Sequence, residues 1–507
     1  MNTLLILPVI VPLATAALML LSHRRGATQQ VIALFSTALQ LIVAALLFHA
    51  VHTRGIQVTQ FGGWPARYGI TFVADLLSAL MVLLSGTIAM ATVVYSLANI
   101  DRQRRAFGFY PLMQVLLMGA NGAFLTGDLF NLYVWFEVLL IASFVLLVLG
   151  NERPQMEGAL KYVTLNLISS MLFLTAIGIL YGSVGALNMA DIAMKLSRLP
   201  VSMTGALAML FLVAFGIKAA VFPLFFWLPD SYHTPPVTVI ALFAGLLTKV
   251  GIYSMIRIFS LFFPLNASPD QTLILVMAGL TMVIGVLGAV AQTEVRRILA
   301  FHSVSQMGYI MMGFGLFTAA SLGGAIFFLL HHSVVKSNLF LISGVIQRRR
   351  GTTRLSQLGD LIRTEPWLAG LFLVTALSLA GMPPLTGFWA KLALVQAGLE
   401  IGSSSSFAIV GVSLAVSILT LISMIKIWNE AFWKPRPDDA LPASVPSRTA
   451  TFLMYAPIVL LTALTVLFGL APEPLLVVVR DAAEQLLHRP HYVKAVLGME
   501  FDESVTD

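Results

Sequence analysis

Five ionisable residues stand inside long apolar runs of this sequence, where lipid would be expected to surround them. They are one glutamate and four lysines: Glu137, Lys218, Lys249, Lys336 and Lys391. A charged side chain near the centre of a bilayer costs about 3 kcal/mol even on the gentlest insertion scale. Such residues persist only where packing tolerates them or function needs them, and four lysines in one chain favour function.

The chemistry that these residue types offer is proton exchange. Burial disfavours the charged form of an amine and a nearby carboxylate favours it, so a buried glutamate–lysine pair has interdependent protonation states. His332 and Lys336 are spaced i, i+4 and share one face of a helix. Histidine titrates near neutral pH, so this pair could pass protons. The alternative is that these groups only hydrogen-bond neighbouring helices. Haem ligation by the histidines is weakly supported.

Composition indicates the elements that must position these groups. Of 507 residues, 58% are hydrophobic and 10% charged, and the mean hydropathy is +0.90. Soluble domains carry about 25% charged residues. The chain is therefore predicted to be an all-α polytopic membrane protein.

The absence of cysteine excludes disulfides and thiolate metal sites. Since no nucleotide-binding or nucleophile motif occurs, no cofactor is expected, and the formal charge of +7 is assigned to loops rather than to nucleic-acid binding.

Hydropathy predicts fourteen membrane spans. They lie near residues 2–22, 30–52, 71–98, 109–126, 128–149, 158–183, 203–228, 235–262, 271–291, 296–318, 320–347, 366–399, 407–431 and 452–470. Loops after odd-numbered spans hold sixteen basic residues, among them Arg24 and Arg25, and loops after even-numbered spans hold four. The positive-inside rule then places both termini outside the cytoplasm, with the first span as an uncleaved anchor.

Two of the spans contain helix-breaking residues close to a lysine. Pro223 follows Lys218 by five residues, and the segment GMPPLTGFWAK carries Gly381, Pro383, Pro384 and Gly387 before Lys391. Unwound backbone at membrane depth survives only where it is buried in protein or lines a wet cavity. Interrupted spans in corresponding halves indicate a transport site.

A weak internal repeat supports the two-halves interpretation. YSMIRIF (253–259) resembles ISMIKIW (422–428) at an offset of 169 residues, which carries span 7 onto span 12. Five spans separate the copies, so the repeats would be inverted. The predicted units are residues 1–108, 109–262, 271–431 and 432–507. In the last unit, EPLLVVVRDAAEQLL is either a membrane-surface helix or a helix packed on its neighbours.

Four segments resemble one family over essentially the whole chain. They are TGDLFNLYVWFEVLLIAS (126–143), FGIKAAVFPLFFWLPDSYHTPP (215–236), FHSVSQMGY (301–309) and GMPPLTGFWAK (381–391). They are similar to the antiporter-like family, which comprises the large subunits of Mrp cation/proton antiporters and the proton-pumping membrane subunits of respiratory complex I. Length, span number and the tail YVKAVLG resemble the D branch of the Mrp subunits most.

The resemblance implies roles for the buried charges. Glu137 and Lys218 match the family's paired gate, Lys249 its central relay lysine, and Lys391 its terminal group. His332 and Lys336 match the relay of span 11. The implied activity is proton translocation within a multi-subunit Na⁺/H⁺ antiporter of the bacterial cell membrane. The implied partners are a large A subunit, small hydrophobic subunits, monovalent cations and lipids.

Two other function classes remain open on sequence alone. One is a proton-pumping subunit of complex I or of a membrane-bound hydrogenase, which would make the chain part of an enzyme. The other is a stand-alone uniporter or scaffold. The sequence does not identify the cation.

Overall fold

The fold was analysed in a computed structural model that describes residues 2–22, 26–265, 269–437 and 447–499. The described chain is mostly helical. Eleven of its helices are long and apolar enough to cross a membrane, which confirms the predicted polytopic membrane class. Arg24 and Arg25, which entered the topology prediction, lie outside the described residues.

The helices follow the predicted spans closely. The first nine are α1 (Thr3–Leu21), α2 (Gly26–Arg54), α3 (Leu76–Asn99), α4 (Arg102–Ala106), α5 (Phe109–Leu125), α6 (Leu129–Leu147), α7 (Arg153–Val184), α8 (Met189–Lys195) and α9 (Val201–Ala219). The next six are α10 (Trp227–Ser231), α11 (Val237–Leu242), α12 (Thr248–Phe262), α13 (Pro269–Ala291), α14 (Val295–Leu316) and α15 (Ala319–Arg350). The last seven are α16 (Leu361–Thr364), α17 (Pro366–Ala380), α18 (Thr386–Ile401), α19 (Ser404–Ile427), α20 (Arg448–Leu470), α21 (Glu473–Leu487) and α22 (Arg489–Leu497).

The all-α prediction is wrong at the start of the third span. Residues Thr71–Ala74 form strand β2, which pairs antiparallel with strand β1 (Gln57–Gln60). Helix α3 begins only after Asp75, whose side chain accepts the Ser78 N–H in a capping box. Hydropathy cannot separate these apolar strand residues from the helix that follows, because both are buried.

Both predicted helix breaks are present. Helix α9 ends at Ala219, the left-handed residue Ala220 (φ 56°) follows, and helical structure resumes at Trp227. Helix α17 ends at Ala380, Gly381 is left-handed (φ 92°), and α18 begins at Thr386. Pro223, Pro383 and Pro384 therefore lie in non-helical backbone.

Gly387, predicted to be part of the second break, is instead the second residue of α18. A Cβ atom there would lie 1.8 Å from the Ser378 carbonyl oxygen. The residue is glycine because α17 and the start of α18 approach each other too closely for any side chain.

The most deeply buried helices cross the middle of the molecule. The segment Val237–Phe262 and helix α15 are almost wholly enclosed by other helices. A π-helical turn, Phe243–Leu247, joins α11 to α12, and a second one, Trp428–Trp433, extends α19. The tail segment forms α21, which packs on α3 and α15 and buries Val479, Ala482, Ala483 and Leu486. This favours the packed-helix alternative for the tail.

Candidate functional site

Lys218 lies in the last turn of α9, two residues before Ala220, where the first break begins. Its Nζ donates to Ser170 Oγ of α7 at 3.2 Å and lies 5.0 Å from the centre of the Phe136 ring. Asn166 of α7 and Trp227 of α10 line a small cavity beside it. The lysine therefore sits in an aromatic and hydroxyl-bearing pocket against the interrupted backbone.

Glu137 follows Phe136 on α6 and lies within electrostatic range of Lys218. The two side chains are not in ion-pair contact within 4.0 Å. Among the described residues, the buried Oε1 atom of Glu137 has no hydrogen-bond partner. The structure thus brings the predicted pair together without joining it, which leaves the carboxylate free to change its own contacts.

Lys249 is completely buried just after the first π-helical turn. Its Nζ donates to the Ala244 carbonyl oxygen inside that turn. A π-helical turn shifts the regular pattern of backbone hydrogen bonds, so its carbonyl groups can accept from side chains. The turn accordingly positions an acceptor for a lysine that has no carboxylate partner within the described chain.

His332 and Lys336 lie one turn apart on α15, as predicted, and both are fully buried. Lys336 Nζ donates to the Leu299 carbonyl oxygen of α14 at 2.5 Å. Both ring nitrogens of His332 lack a hydrogen-bond partner among the described residues. His332 is within electrostatic range of both Lys249 and Lys336. These three residues therefore form one cluster at the centre of the molecule.

Lys391 lies in the second turn of α18, beyond the second break. Its Nζ donates to the Ala380 carbonyl oxygen at 2.8 Å and to Ser417 Oγ of α19 at 3.0 Å, and lies 4.7 Å from the Tyr309 ring centre. Ala380 is the last residue of α17, so the lysine supplies a donor to an end of helix that has lost its regular partners.

Two further histidines, to which sequence reasoning gave little weight, lie within electrostatic range of both His332 and Lys391. His302 Nε2 lies 2.9 Å from Ser423 Oγ, and His302 is within electrostatic range of Lys336 and Lys391. His331 Nδ1 lies 2.8 Å from Thr386 Oγ1, and His331 is within range of Lys391. The sequence signal for His302 was its place in FHSVSQMGY; its approach to the hydroxyl residues of α19 is visible only in the structure.

The four buried lysines share one electrostatic property. Within the described chain none of them forms an ion pair with a carboxylate, whereas Arg257 and Asp75, also buried, pair at 2.5 Å. An amine held by a neutral oxygen can gain or lose a proton without leaving an unpaired carboxylate behind. The arrangement suits proton exchange better than rigid cross-linking. No group of three or more potential metal ligands occurs among the described residues.

Comparison with known proteins identifies the family of the chain. Residues 126–420 match the family described as NADH:quinone oxidoreductase/Mrp antiporter, TM. The chain is 44% identical over 500 residues to the D subunit of the Na⁺/H⁺ antiporter of Alkalihalophilus pseudofirmus, covering 98% of this chain and 100% of the relative.

Two solved structures are also similar to this chain over nearly its whole length. One is a chain of the Mrp complex from Dietzia sp. DQ12-45-1b, with a TM-score of 0.91, 33% identity and coverage of 98% of this chain and 100% of that one. Another is a chain of the membrane-bound sulfane sulfur reductase, an archaeal respiratory membrane complex, with a TM-score of 0.89, 26% identity and coverage of 97% and 99%. The chain therefore belongs to the family of NADH:quinone oxidoreductase and Mrp antiporter membrane subunits.

Proposed function

We propose that this chain is a proton-translocating subunit of a multi-subunit Na⁺/H⁺ antiporter. The observation that carries the proposal is the set of four buried lysines held by neutral oxygens, two of which, Lys218 and Lys391, lie at broken helices. Full-length similarity to the D subunit of an Na⁺/H⁺ antiporter supports the assignment to antiport.

The proposed proton route has three parts in sequence. It begins at Glu137 and Lys218 beside the first break and continues through Lys249, His332 and Lys336. It ends at Lys391 beyond the second break. The electrostatic contacts of His302 and His331 support continuity between the last two parts. Continuity between Lys218 and Lys249 is supported by the cavity beside Lys218. The wall of this cavity includes Leu247 and Val250, which flank Lys249 in the sequence.

We also propose fourteen spans, two inverted repeats and both termini outside the cytoplasm. Matching backbone features support the repeats. Asp128 pairs with Asn188 in an isolated β-bridge, and Glu294 pairs with Arg354 in another, at a constant offset. Each carboxylate residue directly precedes a long helix, α6 or α14, in its own half.

The partners proposed are the other subunits of an Mrp-type complex, including a large A subunit and small hydrophobic subunits. A place in a redox-driven pump is the second candidate, and the similarity to a chain of an archaeal respiratory complex favours it. The two candidates differ in their partner subunits, since a redox complex requires electron-carrying subunits.

Purification of the chain from its native membrane, followed by reconstitution, tests the proposal. Antiport predicts co-purification of small hydrophobic membrane subunits and proton movement that starts when Na⁺ is added to sealed vesicles. Co-purification of iron–sulfur proteins, with no cation-dependent proton movement, would assign the chain to a redox pump.

A further inference from the structure

Three hydroxyl side chains of α19 follow one another between His302 and Lys391. They are Ser423, Thr420 and Ser417, spaced three residues apart, and together they are called the hydroxyl row. At a rise of about 1.5 Å per residue, neighbouring members lie about 4.5 Å apart along the helix axis, a gap that one water molecule can bridge. Ser423 and Thr420 are fully buried, and Ser417 is half-buried. The row is therefore largely enclosed by protein.

Each end of the hydroxyl row contacts a titratable group on another helix. Ser423 Oγ lies 2.9 Å from His302 Nε2 of α14, and it has no other hydrogen-bond partner among the described residues. Ser417 Oγ accepts from Lys391 Nζ of α18 at 3.0 Å. Serines inside helices often bond to a carbonyl group of their own preceding turn. Ser423 instead bonds across the helix interface, so its hydroxyl group can donate and accept in turn.

The neutral form of Lys391 depends on Ser417 for a proton. Lys391 Nζ lies 2.8 Å from the Ala380 carbonyl oxygen and 3.0 Å from Ser417 Oγ. A carbonyl oxygen can only accept a hydrogen bond, whereas a hydroxyl group can both accept and donate. Within the described chain, Ser417 is thus the hydrogen-bonded neighbour of Lys391 that can pass a proton to the lone pair of the neutral amine.

Tyr309 holds Ser417 in place for this transfer. The Tyr309 hydroxyl group lies 2.8 Å from Ser417 Oγ and donates to the Ser413 carbonyl oxygen at 2.6 Å. Ser417 donates to the same carbonyl oxygen at 2.9 Å. When the Ser417 proton turns from Ser413 towards Lys391, Tyr309 still donates to Ser413. The rotation therefore leaves no buried acceptor without a partner.

We propose that the hydroxyl row, with water between its members, carries protons from His302 to Lys391; this inference rests on the proposed function. A protonated His302 passes its Nε2 proton to Ser423 Oγ. Each hydroxyl group or water then receives one proton and passes one on, and Ser417 delivers a proton to Lys391 Nζ. One N–H bond is lost at His302 and one is formed at Lys391. The positive charge moves with the proton, and no group is oxidised or reduced.

Two other arrangements account for fewer of these contacts. The hydroxyl groups of Thr386 and Ser378 connect to His331, but no hydrogen bond joins either of them to Lys391 within the described chain. A purely structural row would secure α19 to its neighbours and would need no titratable partner. Thr420, which donates to a carbonyl oxygen of its own helix, fits that role by itself, so the two ends of the row distinguish conduction from packing.

The flux test uses the assembled complex in sealed vesicles. Ser417→Ala and Ser423→Ala should each slow Na⁺-dependent proton flux at least about tenfold, less than the roughly 100-fold typical of a lost proton-transfer group, because water can replace part of a hydroxyl's function. Ser417→Thr keeps the hydroxyl group and should retain most of the flux. Ser343→Ala, at a buried serine that donates to a carbonyl oxygen of its own helix α15, is the matched control and should be unaffected. Full flux in either row variant, or equal losses in Ser417→Ala and Ser417→Thr, would overturn the proposal.

A second measurement separates the hydroxyl row from the proposed function. Infrared spectra recorded after a rapid drop in pH follow the protonation of isotope-labelled lysines, and the band that is lost in Lys391→Met belongs to Lys391. We expect this band to appear at least about tenfold more slowly in Ser417→Ala than in Ser417→Thr. Equal rates would refute conduction through the row. Absence of any Na⁺-dependent flux in the unmodified complex would refute the proposed function and leave the infrared result unaffected.

Discussion

The two broken helices use the same backbone device around differently placed lysines. In each, a helix ends at an alanine, a residue with positive φ follows, and proline-containing backbone precedes the next helix. Lys218 stands before its break and Lys391 beyond the other. Different donors also serve the helix ends: Trp227 Nε1 donates to the Ile217 carbonyl oxygen at 2.9 Å, whereas Lys391 itself donates to Ala380.

This difference separates structural support from proton chemistry. At the first break an indole, which does not titrate, and the Ala220 N–H both donate to the helix end, and Lys218 interacts instead with Ser170 and Glu137. At the second break Lys391 is both the donor to the helix end and the titratable group. No carboxylate within the described chain pairs with it. We infer that the protonation of Lys218 responds to Glu137, and that the protonation of Lys391 is coupled to the geometry of the break itself.

The largest expected effect comes from removing either lysine. Lys218→Ala and Lys391→Ala should each reduce Na⁺-dependent proton flux about 100-fold or more, the usual cost of losing a positioned proton-transfer group. Glu137→Ala should abolish flux as well, because it removes the charge to which Lys218 responds. The measurement is the fluorescence of a pH-sensitive dye in vesicles that contain the assembled complex.

Arginine substitution sharpens this prediction. Lys391→Arg should also fail, since an arginine hardly deprotonates, while Lys434→Ala, at an exposed lysine paired with Glu430, serves as the control and should retain flux. A fully active Lys391→Arg complex would mean that Lys391 releases no proton.

The next effect concerns stability and distinguishes the packing of the two breaks. Gly387→Ala places a Cβ 1.8 Å from a backbone oxygen of α17, whereas Gly251→Ala places one 2.7 Å from the backbone nitrogen of Ala219. Overpacking costs about 1–3 kcal/mol and more when backbone must move, so Gly387→Ala should lower the melting temperature of the complex further. Gly411→Ala, which meets nothing within 4 Å, is the matched control. Equal melting temperatures for all three variants would show that the second break is loosely packed.

The smallest effect is expected at the indole of the first break. Trp227→Phe removes the indole donor to the Ile217 carbonyl oxygen, which would then accept only the Ala220 N–H, and should cost about 1 kcal/mol of stability. A partial loss of flux is expected because Trp227 lines the cavity beside Lys218. Thermal unfolding and flux assays on the same preparation measure both. Trp433→Phe, at an exposed position, controls for the loss of an indole. Unaltered flux together with the stability loss would confine Trp227 to a structural role.

Much of this arrangement was predictable from sequence, for identifiable physical reasons. Hydropathy located the helices because lipid demands long apolar runs, and prolines located the breaks because proline cannot donate to the backbone ladder. The buried lysines stood out because their cost in lipid is high. The start of α3 was misplaced because an apolar strand and an apolar helix have the same hydropathy.

Other features required three-dimensional contacts. No local pattern indicates that Lys249 would bind a π-helical turn, or that Lys336 and Lys391 would bind carbonyl groups of other helices. His302 was undervalued because it lies near the start of its helix, and only its approach to α19 reveals its position between Lys336 and Lys391.

The central claim is that the buried lysines belong to one hydrated path joining the two breaks. A cryo-electron microscopy map of the assembled complex that resolves ordered water tests it most directly. We predict waters bridging Glu137 to Lys218, Lys218 to Lys249, and His332 through His302 or His331 to Lys391. The account would be contradicted by a map in which apolar side chains fill these gaps and every lysine bonds only to the carbonyl or hydroxyl oxygens of other residues described above.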